Sequence, residues 1–267
     1  MTLSEETLSV FWSIFIPLLG ACLGSFGNVV IARYPAGLSI VTPRSRCPKC
    51  KSPIAWYDNI PILSFFILGR RCRLCRVKIS WRYPLVELAS ALLFWALYLK
   101  LGLSYTLIEI LIFAWAGLVA SVIDLDHRIL PDVFTLTGIL VGLAGAALNP
   151  ERGFYDALIG AIGGGGFLYL VAYVYAAIKN EEGMGGGDIK LIAWIGAVLG
   201  WKAVIFTILA SSIFGSIIGL VYAAIQKSGL KTAIPFGPFL FGAALLYVFA
   251  GHSPMQVYLS YFFPFFD

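Results

Sequence analysis

Residues Val10 to Ile31 read VFWSIFIPLLGACLGSFGNVVI, twenty-two positions without a charged side chain. A helix needs about 20 apolar residues to cross the hydrocarbon of a bilayer, so this stretch alone places the chain in a membrane. Working outward, seven further apolar stretches follow: Tyr83 to Leu99, Tyr105 to Ile123, Val133 to Leu148, Ala157 to Ile178, Ile189 to Gly200, Ala203 to Ile225 and Ile234 to Ala250. The sixth of the eight, Ile189 to Gly200, is short. Hydropathy leaves open whether it is tilted, partly inserted or extended by Gly185 to Asp188. Composition agrees with this reading: of 267 residues, 60% are hydrophobic and 12% charged, against about 25% charged in a soluble domain. A mean hydropathy of +0.88 excludes a disordered chain as well as an ordinary water-soluble enzyme. The expected fold is an all-α polytopic membrane protein of about eight transmembrane helices, with one long polar insertion between the first two.

Charge sets the orientation. Lys and Arg accumulate on the cytoplasmic side of membrane proteins, so the basic segment Arg33 to Arg82 is placed inside and every later loop follows by alternation. The inside then holds eleven basic residues in that segment plus Arg128, Lys179, Lys190, Lys227 and Lys231, against Lys100, Arg152 and Lys202 outside. Glu5 and Glu6 precede the first stretch without a Lys or Arg, so it reads as an anchor and not as a cleaved signal. Three parts are expected: a first transmembrane helix over 1–32, a cytoplasmic four-cysteine loop over 33–82, and a transmembrane helical body over 83–267.

The loop carries Cys47-Pro-Lys-Cys50 and Cys72-Arg-Leu-Cys75, with twenty-one residues between the pairs. Two such knuckles can offer four thiolates to one tetrahedral zinc ion, and Lys49, Lys51, Arg71, Arg73 and Arg76 are expected to favour the thiolate form. Two disulfides or a redox CxxC are the competing readings, disfavoured in a reducing compartment. A closed set of four thiolates leaves no open coordination position, so the metal is expected to be structural, stabilising a loop too small to form a large core. Cys22, inside the first stretch, reads as a small buried hydrophobe.

Ionisable groups are costly at membrane depth and usually face a cavity or a partner. The run Ile123-Asp124-Leu125-Asp126-His127-Arg128-Ile129-Leu130-Pro131-Asp132 joins the third and fourth stretches, and Gly183-Met184-Gly185-Gly186-Gly187-Asp188 opens the sixth from the same side. Topology thus brings Asp124 and Asp188 to one depth. Paired carboxylates suit aspartyl proteolysis, in which one takes a proton from water while its protonated partner polarises the scissile carbonyl. Asp126 lies two residues from Asp124, on the other side of a helix, so Asp124 is the chosen partner, with Asp126 and Asp132 supporting. Gly185, Gly186 and Gly187 are expected to admit an extended peptide closely and to adopt torsions closed to other residues. The alternative is that these aspartates merely cap helices. His127 and His252 read as polar loop residues, and the glycines Gly160 and Gly163 to Gly166 as either tight packing or a groove for a substrate helix.

At this point the chain resembles the type IV prepilin peptidases, bifunctional leader peptidases and N-methyltransferases of bacterial inner membranes. The resemblance rests on Gly24-Ser25-Phe26-Gly27-Asn28-Val29-Val30-Ile31-Ala32-Arg33-Tyr34-Pro35, both CxxC pairs, Arg82-Tyr83-Pro84-Leu85-Val86-Glu87, Asp124 to Asp132, Gly185 to Asp188, and Pro235-Phe236-Gly237-Pro238. It implies an aspartic protease whose pair falls on Asp124 and Asp188. Its substrates would be prepilins and pseudopilins, cut after a glycine to remove a short basic leader, with S-adenosylmethionine then methylating the new amine. Gly24, Ser25, Asn28, Arg33 and Glu87 are candidates for holding that cofactor by resemblance and depth alone. Membrane lipid is an expected partner and nucleic acid is not. The competing classes are a non-catalytic membrane scaffold that docks a partner through its zinc loop, and a transporter. The latter is disfavoured by aspartates at helix ends and the lack of a convincing internal repeat.

Overall fold

The computed structural model describes residues 3–181, 183–226 and 235–250. Lys227, Lys231, Ile234 and His252, used in the sequence reading, lie outside the described residues. Among those described there is no β-strand, and each of the eight apolar stretches becomes a helix: α1 (Leu3–Arg33), α3 (Arg82–Leu101), α4 (Tyr105–His127), α5 (Asp132–Leu148), α6 (Phe154–Lys179), α7 (Gly186–Leu199), α8 (Trp201–Gln226) and α9 (Gly237–Ala250). A 3-10 turn (Trp56–Asn59) and the short α2 (Leu63–Ile67) lie between α1 and α3. Five helices, α1, α3, α4, α6 and α8, are long and apolar enough to cross a membrane, whereas α5, α7 and α9 are shorter. His127 closes the last turn of α4 and is not a loop residue; a basic side chain there complements the helix dipole.

The chain divides into two compact units, residues 1–119 and 120–267, with the boundary inside α4. In the first, α1 and α3 pack along a seam of small residues. A Cβ added at Gly20 would stand 2.8 Å from the Ser90 carbonyl oxygen, and one at Gly24 would stand 2.8 Å from the Glu87 Cα. Lipid tails are as apolar as the helices, so this close backbone approach supplies much of the attraction between helices. Trp115 of α4 donates from Nε1 to the Leu23 carbonyl at 2.8 Å and stacks on Phe26. The segment between α1 and α3 forms two similar knuckles, bridged by Arg46 with Pro53 and by Arg71 with Lys78.

In the second unit, α7 is the central element, packed by α5, α6, α8 and α9. Its residues Leu191, Ile192, Trp194, Ile195, Ala197 and Val198 are buried. Glycines admit it to the bundle: a Cβ at Gly160 of α6 would lie 2.6 Å from the Gly196 carbonyl oxygen, and one at Gly142 of α5 would lie 2.9 Å from Val198. Gly164 and Gly165 pack likewise against Val204 and Ala193, while Gly163 and Gly166 face open space. The opposite faces of α6 and α8 expose Ile162, Phe167, Leu170, Ile213 and Ile217, a composition suited to lipid.

Candidate active site

Asp124 lies in the last turn of α4 and is buried to 5% exposure. Its Oδ2 accepts the Gly237 amide at 3.0 Å. Gly237 opens α9, where the first turn has N–H groups with no partner inside the helix, so a carboxylate is the natural acceptor. A Cβ at Gly237 would stand 2.8 Å from that same oxygen and 3.0 Å from the Leu130 side chain. Leu130, buried in the turn after α4, also packs on Gly187, where an added Cβ would meet it at 2.9 Å. One leucine is therefore wedged between the backbone bearing Asp188 and the backbone that binds Asp124.

Asp188 stands in the first turn of α7, its amide bonded to the Gly185 carbonyl at 3.1 Å, and it is close enough to Asp124 for their charges to interact. The capping residue of α7 is Gly185 and that of α5 is Pro131, neither with a side-chain cap bond. Asp132 is instead the first residue of α5, and its Oδ1 pairs with Lys190 Nζ at 2.7 Å. At the other end of α7, Arg152 donates to the Ala197 carbonyl at 2.7 Å. The helix carrying Asp188 is thus fixed at both ends by basic side chains. Asp126 is exposed on the far side of the α4 terminus.

The three glycines before Asp188 differ from the expectation of unusual torsions, for none of them has a positive φ. Gly187 is required by the contact with Leu130, whereas a Cβ on Gly186 would meet nothing within 4 Å. The need at Gly187 is for space beside a neighbour.

The four knuckle cysteines converge with all their Sγ atoms within 4.8 Å of one another, Cys47 to Cys75 at 3.7 Å and Cys50 to Cys72 at 4.0 Å. Local backbone explains the convergence. In each knuckle the first cysteine accepts from the amide four residues on, Lys51 or Arg76, and that residue has a left-handed φ of 59° or 58°. Such a cluster can hold a metal ion. Hydrogen bonds from the Ser52 hydroxyl, then the Ser52 amide, pull the Cys50 thiol down to about 6, and the Cys75 and Leu74 amides lower Cys72. At Cys75 the Val77 amide acts in the same sense, but desolvation and the neighbouring thiols outweigh it and push the group up to about 11. The basic neighbours are not the cause of these shifts. Arg73 is engaged instead by Asp58, Nε to Oδ2 at 2.7 Å and a second nitrogen to Oδ1 at 2.5 Å, an ion pair that holds Asp58 below the usual carboxylate range.

The five residues considered for a methyl donor separate into two sets. Gly24 is a packing position against Glu87 and Ser90, and Asn28 donates to the Tyr83 carbonyl at 3.0 Å. Glu87, buried, accepts the Ile62 amide at 2.7 Å and the Ser25 hydroxyl. Ser25 and Arg33 line a cavity of about 520 Å³ within the first unit.

The run Pro235 to Pro238 gives no role to the Gly237 amide by sequence alone, and Leu130 and Arg152 carry no pattern that marks them as placing residues. Lys190 offers one signal, as a lone lysine two positions after Asp188 at the start of an apolar stretch.

Fold and site together define a polytopic α-helical membrane protein with two interacting aspartates at the ends of its helices. Residues 18–101 match the bacterial peptidase A24 N-terminal domain, and residues 111–220 match the type IV leader peptidase family. Curated relatives named prepilin leader peptidase/N-methyltransferase include one from Myxococcus xanthus, 44% identical over 83% of this chain and 66% of its own length. Those from Pseudomonas aeruginosa and Legionella pneumophila are 36% and 33% identical over 91% and 94% of this chain and 92% and 96% of theirs. No solved structure matches. The chain belongs to the type IV leader peptidase family.

Proposed function

We propose that this protein is an aspartic endopeptidase that removes the leader from type IV prepilins and pseudopilins and then N-methylates the amine it has freed. The observation that carries the proteolytic reading is the meeting of Asp124, on the last turn of α4, with Asp188, on the first turn of α7. Such a reaction needs one carboxylate of the pair ionised and the other protonated. The ionised carboxylate takes a proton from water as its oxygen attacks the scissile carbonyl, and the protonated one gives its proton to the carbonyl oxygen. Collapse of the tetrahedral intermediate breaks the C–N bond, and the amine leaves with a proton from the pair. The Gly237 amide fixes one Asp124 oxygen, so the carboxylate plane is set before substrate arrives. The open space at Gly186 is where an extended substrate backbone passes.

Zinc fits the knuckles. With Zn–S bonds of about 2.3 Å, tetrahedral sulfurs stand about 3.8 Å apart, close to the 3.7 and 4.0 Å separations between Cys47 and Cys75 and between Cys50 and Cys72. A divalent cation also relieves the crowding of thiolates that drives Cys75 upward. S-adenosylmethionine supplies the methyl group. The basic loop 33–82 and both aspartates face the cytoplasm of a bacterial inner membrane by the charge asymmetry of 16 against 3 basic residues. In function the chain divides into an anchor (1–32), the zinc loop (33–82) and the protease body (83–267).

The test incubates the purified protein in detergent with a prepilin, with and without S-adenosylmethionine. Cleavage in both cases and methylation only with the donor is the expected result; an intact prepilin in both would leave a non-catalytic scaffold.

A further inference from the structure

The cavity of about 520 Å³ in the first unit is bounded on one side by a stripe along α1. Cys22, Phe26, Val29 and Arg33 all line it, and steps of four, three and four residues put them on one face of a helix. The stripe is apolar for three positions and cationic at the fourth. Cys22 and Phe26 are exposed and Val29 is half-buried, so Cys22 is not the buried small hydrophobe that its place in an apolar stretch suggests. At 1.5 Å per residue, Cys22 lies about 16 Å along the helix axis from Arg33. Arg33 ends a helix long and apolar enough to cross a membrane. The stripe therefore runs from the headgroup level inward by about half of a hydrocarbon layer roughly 30 Å thick, which is the depth of one leaflet.

The second wall belongs to the segment after α1, from which Arg44 and Asn59 line the cavity. Two arginines and no carboxylate line it, so this end selects an anion, and guanidinium groups match phosphate oxygens. The two arginines play unequal parts. Arg33 donates from its guanidinium to the carbonyls of Ser39 and Arg44 at 3.1 and 3.4 Å, which holds the second wall against α1. Arg44 is exposed, and among the described residues no hydrogen bond or ion pair engages its side chain. The whole segment 33–82 adds to the attraction, with eleven basic residues against the single acidic Asp58. Two cations above an apolar strip one leaflet deep give the outline of an amphiphile with an anionic head. A soluble phosphate ester would match the head alone.

We infer that this cavity seats one anionic phospholipid, its phosphate against Arg33 and Arg44 and an acyl chain along Val29, Phe26 and Cys22. The inference needs only the membrane setting of the chain and stands apart from the peptidase and methyltransferase readings. Such a lipid joins the end of α1 to the segment that carries Cys47 and Cys50, so it braces the start of the knuckles against the helix.

The experiment takes the full chain, purified in a neutral detergent and stripped of lipid, and titrates it with dioctanoyl phosphatidylglycerol, bound molecules being counted by native mass spectrometry. Zinc content and melting temperature report the folding of each variant. One phosphatidylglycerol per chain is expected to bind at least about tenfold more tightly than the zwitterionic phosphatidylcholine. Arg44→Gln carries the test, since Arg33 also ties backbone together. It should weaken binding at least about tenfold, as loss of a charge-assisted contact does. Val29→Trp, which fills the stripe and keeps both arginines, should block binding. Lys78→Gln removes an exposed charge of the same segment outside the cavity and should leave affinity within about threefold, as expected of a screened surface charge. Unchanged affinity in Arg44→Gln and Val29→Trp, or an equal loss in Lys78→Gln, overturns the site. Glycerol 3-phosphate binding as tightly as the lipid overturns the place of the acyl chain and leaves a site for a soluble phosphate ester. Release of the lipid by an equimolar prepilin overturns the inference in favour of a groove for peptide.

Discussion

Asp124 and Gly237 stand 113 positions apart in the chain and meet through one hydrogen bond, from the Gly237 amide to the Asp124 carboxylate at 3.0 Å. Nothing but hydrogen fits on the Gly237 Cα at that distance. Gly237→Ala places a methyl 2.8 Å from the carboxylate oxygen and 3.0 Å from Leu130, so Asp124 must turn or α9 must withdraw. A displacement of about 1 Å in a catalytic group costs up to about a hundredfold in rate. Steady-state cleavage of a prepilin by Gly237→Ala should show that loss in kcat, with protein still present in the membrane at wild-type level.

Asp124→Asn and Asp188→Asn should each abolish cleavage, by about a thousandfold or more, since an amide cannot exchange the proton the reaction moves. Asp126→Asn should be mild, because Asp126 is exposed beyond the pair. Native-rate cleavage by either of the first two would remove the catalytic assignment.

The Asp132–Lys190 pair is exposed, and pairs of this kind contribute about 0–1 kcal/mol to stability. Its effect is expected on the placement of Asp188. Asp132→Lys and Lys190→Asp should each lower kcat several-fold, and the exchanged double variant should recover most of the loss. A double variant no better than the worse single one would show that the pair does not position α7.

One zinc per chain is expected, bound by Cys47, Cys50, Cys72 and Cys75, and retained in the Asp124 and Asp188 variants. Elemental analysis of reduced, gently purified protein measures it. Cys47→Ser with Cys72→Ser should lose the metal, and chelation should melt the loop at lower temperature because binding energy is also folding energy.

At the crossing of α6 and α7, Gly160→Val should reduce folded protein, for even a Cβ there would lie 2.6 Å from a backbone carbonyl oxygen that cannot rotate away. Gly163→Ala, facing open space, should leave the melting temperature at or above that of the wild type, since alanine is the better helix former.

Hydropathy located all eight helices because the property it measures, transfer into hydrocarbon, is what forms them. Their ends were less legible: α6 begins at Phe154, three residues before the apolar run, and α7 takes in Gly186 to Asp188. Spacing singled out Asp124, Asp188 and the cysteines since their chemistry demands particular residue types. The Gly237 amide has no such signature, as every residue but proline carries one. Leu130 reads as an ordinary apolar residue until two glycines from distant segments close on it.

α7 has 14 residues, hence a length of about 21 Å, while the hydrocarbon layer is about 30 Å thick. Because α5, α6, α8 and α9 pack around α7, the shortfall faces protein and not lipid, and the longer α6 and α8, of 26 residues each, reach past its length. Every cut consumes one molecule of water, a reactant that hydrocarbon excludes. A short helix enclosed by longer ones, with Asp188 in its first turn, offers water a recess within the protein in place of a passage through lipid.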